Sequence, residues 1–164
     1  MPRTLTGRSA LVTGSTGGLG HALADRFAAE GCAVLLHGVA APEDGEALAR
    51  DMAARHGVRA LYRQADLARP DEIAALMALA TEALGGGGPD ILVNNAVVRH
   101  FGPVEALAPA DWDADIADFL SEKQPTRRFV APEKVAAMAA FLCGPDADDI
   151  TGAAIPLDGG WSAS

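Results

Sequence analysis

Short apolar runs and amphipathic stretches alternate along the first part of the chain. Ser9 to Thr13 (SALVT) is a continuous apolar run ending in glycines, the pattern of a strand buried on both faces. Leu19 to Glu30 sets Leu23 and Phe27 at helical spacing among alanines, and Gly31 stops that helix. Ala33 to His37 (AVLLH) reads as a second strand, Pro42 to His56 as a weaker second helix, and Ala60 to Gln64 (ALYRQ) as a third strand. Pro70 to Leu84 is amphipathic, with Ile73, Leu76, Met77, Ala80 and Leu84 on one face. The glycines at 85–88 end it and read as a loop, since no helix follows them; Ile91 to Asn94 (ILVN) is a fourth strand.

Strand and helix thus alternate with short connections, which predicts an α/β fold: a Rossmann-like, doubly wound parallel sheet with right-handed crossovers. After Asn95 the rhythm weakens. Pro103 to Ala117 reads as two short helical pieces, Pro132 to Leu142 as an apolar helix, and Gly144-Pro145-Asp146 as a turn. Ala153 to Leu157 (AAIPL) is expected as a last strand, with Pro156 restricting it to an edge or a strand end. Without a linker, repeat or low-complexity tract, residues 1–164 are expected to form a single domain.

Composition narrows the function classes. The apolar fraction of 49% with only 5% aromatic residues suits a helix-covered sheet. A net charge of −9, spread over helix-like segments, argues against nucleic-acid binding, which needs clustered Lys and Arg. Cys32 and Cys143 are isolated in apolar settings and read as small packing residues, so no metal site is expected. The N-terminal MPRTLTGRSA has no apolar signal core and no run approaches membrane-spanning length, which makes a cytoplasmic location the expectation.

The motif with chemical content is Thr13 to Gly20, TGSTGGLG, set between a predicted strand and a predicted helix. Gly14 suits the tight turn, Gly18 lets backbone approach a pyrophosphate, and Gly20 lets the helix pack against the strand. The helix N-terminus then offers N–H groups and a positive dipole end to the phosphates. Dinucleotide binding is the reading of this turn. At the end of the second strand, His37-Gly38-Val39-Ala40 provides neither a ribose-binding acid nor a phosphate-binding Arg, and the missing Arg disfavours NADP.

The spacing Gly-x-x-x-Gly-x-Gly resembles that of the short-chain dehydrogenase/reductase family. Further matches are Asp66-Leu67 after the third strand, Asn94-Asn95-Ala96 closing the fourth, and the terminal ITGAAIPLDGGWSAS. Within the family, LHGVAAPED, NNAVVRHFGPVE, SEKQPTRRFVAPEKV and DGGW are most similar to bacterial D-3-hydroxybutyrate dehydrogenases. The resemblance implies an NAD-dependent oxidoreductase interconverting 3-hydroxybutyrate and acetoacetate. It implies a cofactor-binding set of Gly14, Thr16, Gly18, Leu19, Gly20, Asp66, Leu67, Asn94 and Ala96, with Arg99, His100 and Trp161 facing the substrate. It also implies a small hydroxy or keto acid as partner.

The family's catalytic groups, a Tyr-x-x-x-Lys pair, a Ser and an Asn, do not match this chain. Its one tyrosine, Tyr62, lies in the third strand, with Asp66 four positions on; its two lysines, Lys123 and Lys134, follow no tyrosine. After WDADIA the chain passes to DFLSEKQP, which resembles a segment much nearer the family's C-terminus. The expectation is an internal loss between Ala117 and Leu120 that removes the family's fifth and sixth strands and its catalytic helix. Either the last strand then pairs with Ile91 to Asn94, or an apolar edge stays open for a non-standard oligomer. The alternatives to an impaired enzyme are a non-catalytic NAD-binding paralogue or deletion product, and a partner of a full-length dehydrogenase.

Overall fold

The structure, a computed structural model, describes residues 3–85, 87–97 and 124–163. These fall in two compact units, the first comprising 3–85, 87–97 and 132–150, the second 124–131 and 151–163.

The first unit runs β1 (Ser9–Val12), α1 (Gly18–Ala29), β2 (Ala33–Gly38), α2 (Pro42–His56), β3 (Ala60–Gln64), α3 (Pro70–Ala83), β4 (Ile91–Val93) and α4 (Pro132–Leu142). The four strands form a parallel sheet in the order β3-β2-β1-β4. This order follows from the crossovers. Two same-direction steps carry the chain from β1 through β2 to β3, and α3 returns it across the sheet to β4. The central strands β1 and β2 are buried on both faces because helices cover both. Val12, Val34 and Leu36 pack with Leu23 and Phe27 of α1, Met52 of α2, and Ala136 and Ala140 of α4; Leu11 and Leu35 pack with Leu76 and Ala80 of α3. The small side chains of α4 let it lie close along α1.

Helices α2, α3 and α4 all begin with proline. The first two carry two acids each in the first turn, where the helix dipole favours them, and α4 carries one. Gly57 closes α2 in the left-handed region (φ 66°), and Gly31 follows α1 at φ 89°. Asp90 ties the start of β4 to β1, accepting the Ser9 N–H at 2.7 Å and the Ser9 hydroxyl at 2.8 Å.

Two expectations need correction. Ala153 to Leu157 forms no strand: these residues are exposed, and Pro156 has no N–H to give a ladder. Among the described residues the sheet therefore ends at β4, where Leu92 is 52% exposed. On α3 the buried stripe is Leu76, Ala80 and Ala83, while Ile73 and Met77 stay exposed, because the Leu76–Ala80 side is the one packed against Leu11 and Leu35 of the sheet. The helical pieces expected in Pro103 to Ala117, and the junction near 117–120, lie outside the described residues.

In the second unit, Asp158 organises a turn. Its carboxylate accepts the N–H groups of Gly160 (3.0 Å) and Ser162 (2.8 Å), and Gly159 and Gly160 both adopt positive φ. A Cβ on Gly159 would overlap Gln124 and Thr126, and Thr126 donates its N–H to the Gly159 carbonyl at 3.2 Å. Segments 124–126 and 158–160 are thus fitted to one another.

Candidate functional site

The turn after β1 is held from three directions. From β4, Thr13 Oγ1 accepts the N–H groups of Asn95 and Ala96, each at 3.0 Å. Asn95 Nδ2 returns two bonds, to the carbonyls of Thr13 (2.9 Å) and Gly14 (3.2 Å). From β2, His37 Nδ1 accepts the Gly14 N–H at 3.2 Å, and the His37 carbonyl accepts the Ser15 N–H at 2.8 Å. From within, the Ser15 hydroxyl donates to the Val12 carbonyl at 2.8 Å and accepts the His37 N–H at 2.9 Å.

Each glycine of the motif then has a separate reason. Gly14 sits at φ 65°, and a Cβ there would meet the Ala96 backbone. Gly20 is buried, and a Cβ there would overlap the Gly14 carbonyl and Asn95 Nδ2. Gly18, at φ 54°, has open space around its Cβ position, and Gly17, Gly18 and Leu19 are all exposed. Gly17 caps α1 without a side-chain hydrogen bond, and no acid lies in the first turn. An exposed, uncapped helix N-terminus behind a glycine turn presents N–H donors to an anion, with no Cβ in the way. That is the fit a pyrophosphate needs.

The remaining candidates on this unit lie at the C-terminal ends of the strands. Thr16 packs against Gly38, where a Cβ would overlap its side chain. Asp66, exposed, follows β3; its Oδ1 accepts the Ala68 N–H at 2.9 Å, and its own N–H is held by Glu72 at 2.7 Å. Leu67 is partly buried against the α3 cluster. Asn94 and Ala96 are exposed after β4. Ligands of such sheets bind at this edge, between the strands that leave β1 in opposite directions. Trp161 belongs to the second unit, 41% exposed, and Arg99 and His100 lie outside the described residues.

Tyr62 is committed to structure. Its hydroxyl donates to the Ala40 carbonyl at 2.8 Å, and its ring fills the space where Gly45 lacks a Cβ. Burial, helped by Asp44, raises its phenol above the ordinary range. Elsewhere, a groove of about 560 Å³ between α1 and α4 is lined by Gly18, His21, Asp25, Arg55 and Glu133, among others. Burial pushes Asp25 up, but hydrogen bonds from His56 (2.8 Å) and Arg55 (2.6 Å) outweigh it and hold the carboxyl below its usual range.

Sequence reasoning passed over two residues that build the site. Asn95 was part of a matched motif with no role of its own, and its position directly after a buried strand was the available signal. His37 entered only as part of the second strand's end, and it is 2% exposed and bonded at both ring nitrogens.

A parallel sheet in this order, with a glycine turn at the first strand-to-helix junction, defines a dinucleotide-binding α/β fold. The comparisons define the family: residues 8–118 match the short chain dehydrogenase model, and residues 102–162 match that of the Enoyl-(Acyl carrier protein) reductase. The chain belongs to the short-chain dehydrogenase family. It is 39% identical over 129 residues to the D-beta-hydroxybutyrate dehydrogenase of Cupriavidus necator, covering 78% of this chain and 48% of the relative. With the D-beta-hydroxybutyrate dehydrogenase of Rhizobium meliloti it shares 36% identity over 125 residues, 76% of this chain and 48% of that protein. The chain thus spans about half the length of these relatives. Among solved structures, the L-sorbose reductase of Gluconobacter frateurii, complexed with NADPH and L-sorbose, aligns over 100% of both chains (TM-score 0.85, 21% identity). A Burkholderia cenocepacia short chain dehydrogenase in complex with NADP aligns over 97% of this chain and 99% of its own (TM-score 0.79, 23% identity). At these identities the structural likeness concerns the fold.

Proposed function

We propose that this chain binds NAD through the β1–α1 turn and derives from an oxidoreductase of the 3-hydroxybutyrate dehydrogenase type. The observation that carries the reading is the turn itself: Gly14 and Gly20 are locked against Asn95, while Gly17 to Leu19 stay exposed at an uncapped helix N-terminus. Backbone N–H groups of that turn would hold the pyrophosphate. Asp66 and Leu67 would flank the adenine, Asn94 would help hold the adenosine half, and Ala96 completes the cofactor-binding set. When bound, the cofactor supplies hydride chemistry; the chain's part is to position it.

The β2 end favours NAD over NADP, since Gly38, Val39 and Ala40 offer no cation to a 2′-phosphate, and Val39 is 76% exposed there. The substrate class, 3-hydroxybutyrate or acetoacetate, rests on the likeness to the two D-beta-hydroxybutyrate dehydrogenases, with Arg99, His100 and Trp161 as its candidate contacts. Among the described residues β4 has no further ladder partner and Leu92 is exposed, which supports assembly through a non-standard interface. The free thiols Cys32 and Cys143 suit a reducing compartment such as the cytoplasm.

Turnover by these 164 residues is proposed to be impaired, because no Tyr-x-x-x-Lys pair exists in the sequence and Tyr62 is engaged elsewhere. Loss of a general acid costs roughly 10²–10⁴ in rate, and loss of an oxyanion donor on the order of 10²–10³. The test is paired: calorimetric titration with NAD, and NADH production from D-3-hydroxybutyrate above a protein-free blank. Saturable binding with no turnover is the expected result. Turnover in the range of a working dehydrogenase overturns the impairment, and absence of binding overturns the cofactor site.

A further inference from the structure

We propose that His37 is a positioning residue which, as a neutral imidazole, holds the glycine-rich turn in its dinucleotide-binding shape and releases it on protonation. The inference rests on the β1–α1 turn being the cofactor site.

The ring bridges two loops that no other described side chain connects in this way. Nδ1 accepts the Gly14 N–H at 3.2 Å, and Nε2 lies 3.0 Å from the Ala65 carbonyl. An amide N–H can only donate, so Nδ1 must carry the lone pair; a carbonyl can only accept, so Nε2 must carry the hydrogen. The two contacts together define one neutral tautomer. Gly14 opens the phosphate-binding turn, and Ala65 immediately precedes the candidate adenine contacts Asp66 and Leu67. His37 thereby fixes the spacing between the two ends of the adenosine-diphosphate site. Its backbone joins the same network through Ser15 in both directions.

Adding a proton to Nδ1 sets one N–H against another. Gly14 would lose its acceptor and face a second donor across a part-buried contact, so the turn must move. The surroundings resist that proton. Burial lowers the basicity of the imidazole, partly offset by the Ala65 carbonyl. The turn from Thr13 to Leu19 contributes no charged group. From β3, Arg63 is the register partner of His37 and is exposed. Asp66 follows Ala65, and Glu72 of α3 is occupied with the Asp66 N–H. The ring therefore takes up its proton at a pH below the ordinary histidine value of 6.5.

The experiment measures NAD affinity from about pH 8 to about pH 5.5 for the unaltered chain and for His37→Asn and His37→Leu. Asparagine keeps an acceptor near the Nδ1 position and does not titrate; leucine removes it. The unaltered chain should lose affinity by up to about tenfold per pH unit below the folded-state pKa of His37. His37→Asn should bind at pH 8 and stay within about twofold across the range, and His37→Leu should bind weakly throughout. A pH profile of the unaltered chain no steeper than that of His37→Asn overturns the proposal. A ligand-free readout separates this from the cofactor assignment: the ¹⁵N-amide resonance of Gly14 should titrate together with the His37 ring. If NAD fails to bind at any pH while Gly14 follows His37, the cofactor site is wrong and the coupling stands. A Gly14 amide indifferent to His37 protonation overturns the coupling itself.

Discussion

Asn95 and Thr13 are bonded in both directions: Thr13 Oγ1 accepts the Asn95 N–H at 3.0 Å, and Asn95 Nδ2 donates to the Thr13 carbonyl at 2.9 Å. This reciprocal pair joins the end of β4 to the end of β1, and its second Nδ2 bond reaches Gly14. Asn95→Ala leaves two carbonyls without that donor, which should cost about 1–3 kcal/mol of stability. It should also weaken NAD binding, since the turn loses its β4 support. Urea denaturation and a calorimetric titration of the same variant check both effects.

Gly20→Ala should be worse for binding than for folding. Its Cβ would overlap the Gly14 carbonyl, a backbone atom that cannot move without reshaping the turn. Overpacking of this kind costs about 1–3 kcal/mol. Gly87→Ala, with nothing near its Cβ position, should stay within about 0.5 kcal/mol and serve as the control. Equal NAD affinity in the Gly20 variant and the control would contradict the assigned role.

Most of the first unit was legible because its physics is local. SALVT and AVLLH are short apolar runs with no competing period, and the helix limits at Pro42, His56, Pro70 and Leu142 coincide with proline starts and the ends of apolar periodicity. The glycine turn was equally plain from its place between strand and helix. What failed depended on tertiary neighbours. AAIPL looks like a strand, but a strand exists only where a ladder partner is present, and these residues are exposed without one. Ile73 and Met77 share the apolar face of α3, yet only Leu76, Ala80 and Ala83 are buried among its positions. The work of His37 was invisible for the same reason: its two partners, Gly14 and Ala65, are separated from it by 23 and 28 positions.

Acid stability should carry the signature of Asp90. The hydrogen bonds from the Ser9 side chain and backbone hold its carboxyl below the usual value of 3.8, against a smaller effect of burial. A lowered folded-state pKa means the unfolded chain binds the proton first. The stabilisation is therefore complete above the ordinary value and lost as pH falls through the folded one. Asp90→Asn should flatten the decline in urea midpoint between about pH 5 and about pH 3. An unchanged slope would show that the Ser9–Asp90 link does not contribute.

Tyr62→Phe separates structure from chemistry. Removing the hydroxyl that bonds the Ala40 carbonyl should cost about 1 kcal/mol, while the ring still fills the space beside Gly45. NAD affinity and any residual oxidation of 3-hydroxybutyrate should be unaltered. A large loss of turnover in this variant would make Tyr62 a catalytic group and contradict its assignment to packing.

Calorimetric titration of the 164-residue chain with NAD at about pH 8, repeated with Gly20→Ala, tests the central claim most directly. Saturable binding near one NAD per chain, lost in the variant, is the predicted result. The absence of saturable binding by a chain that melts cooperatively would contradict it.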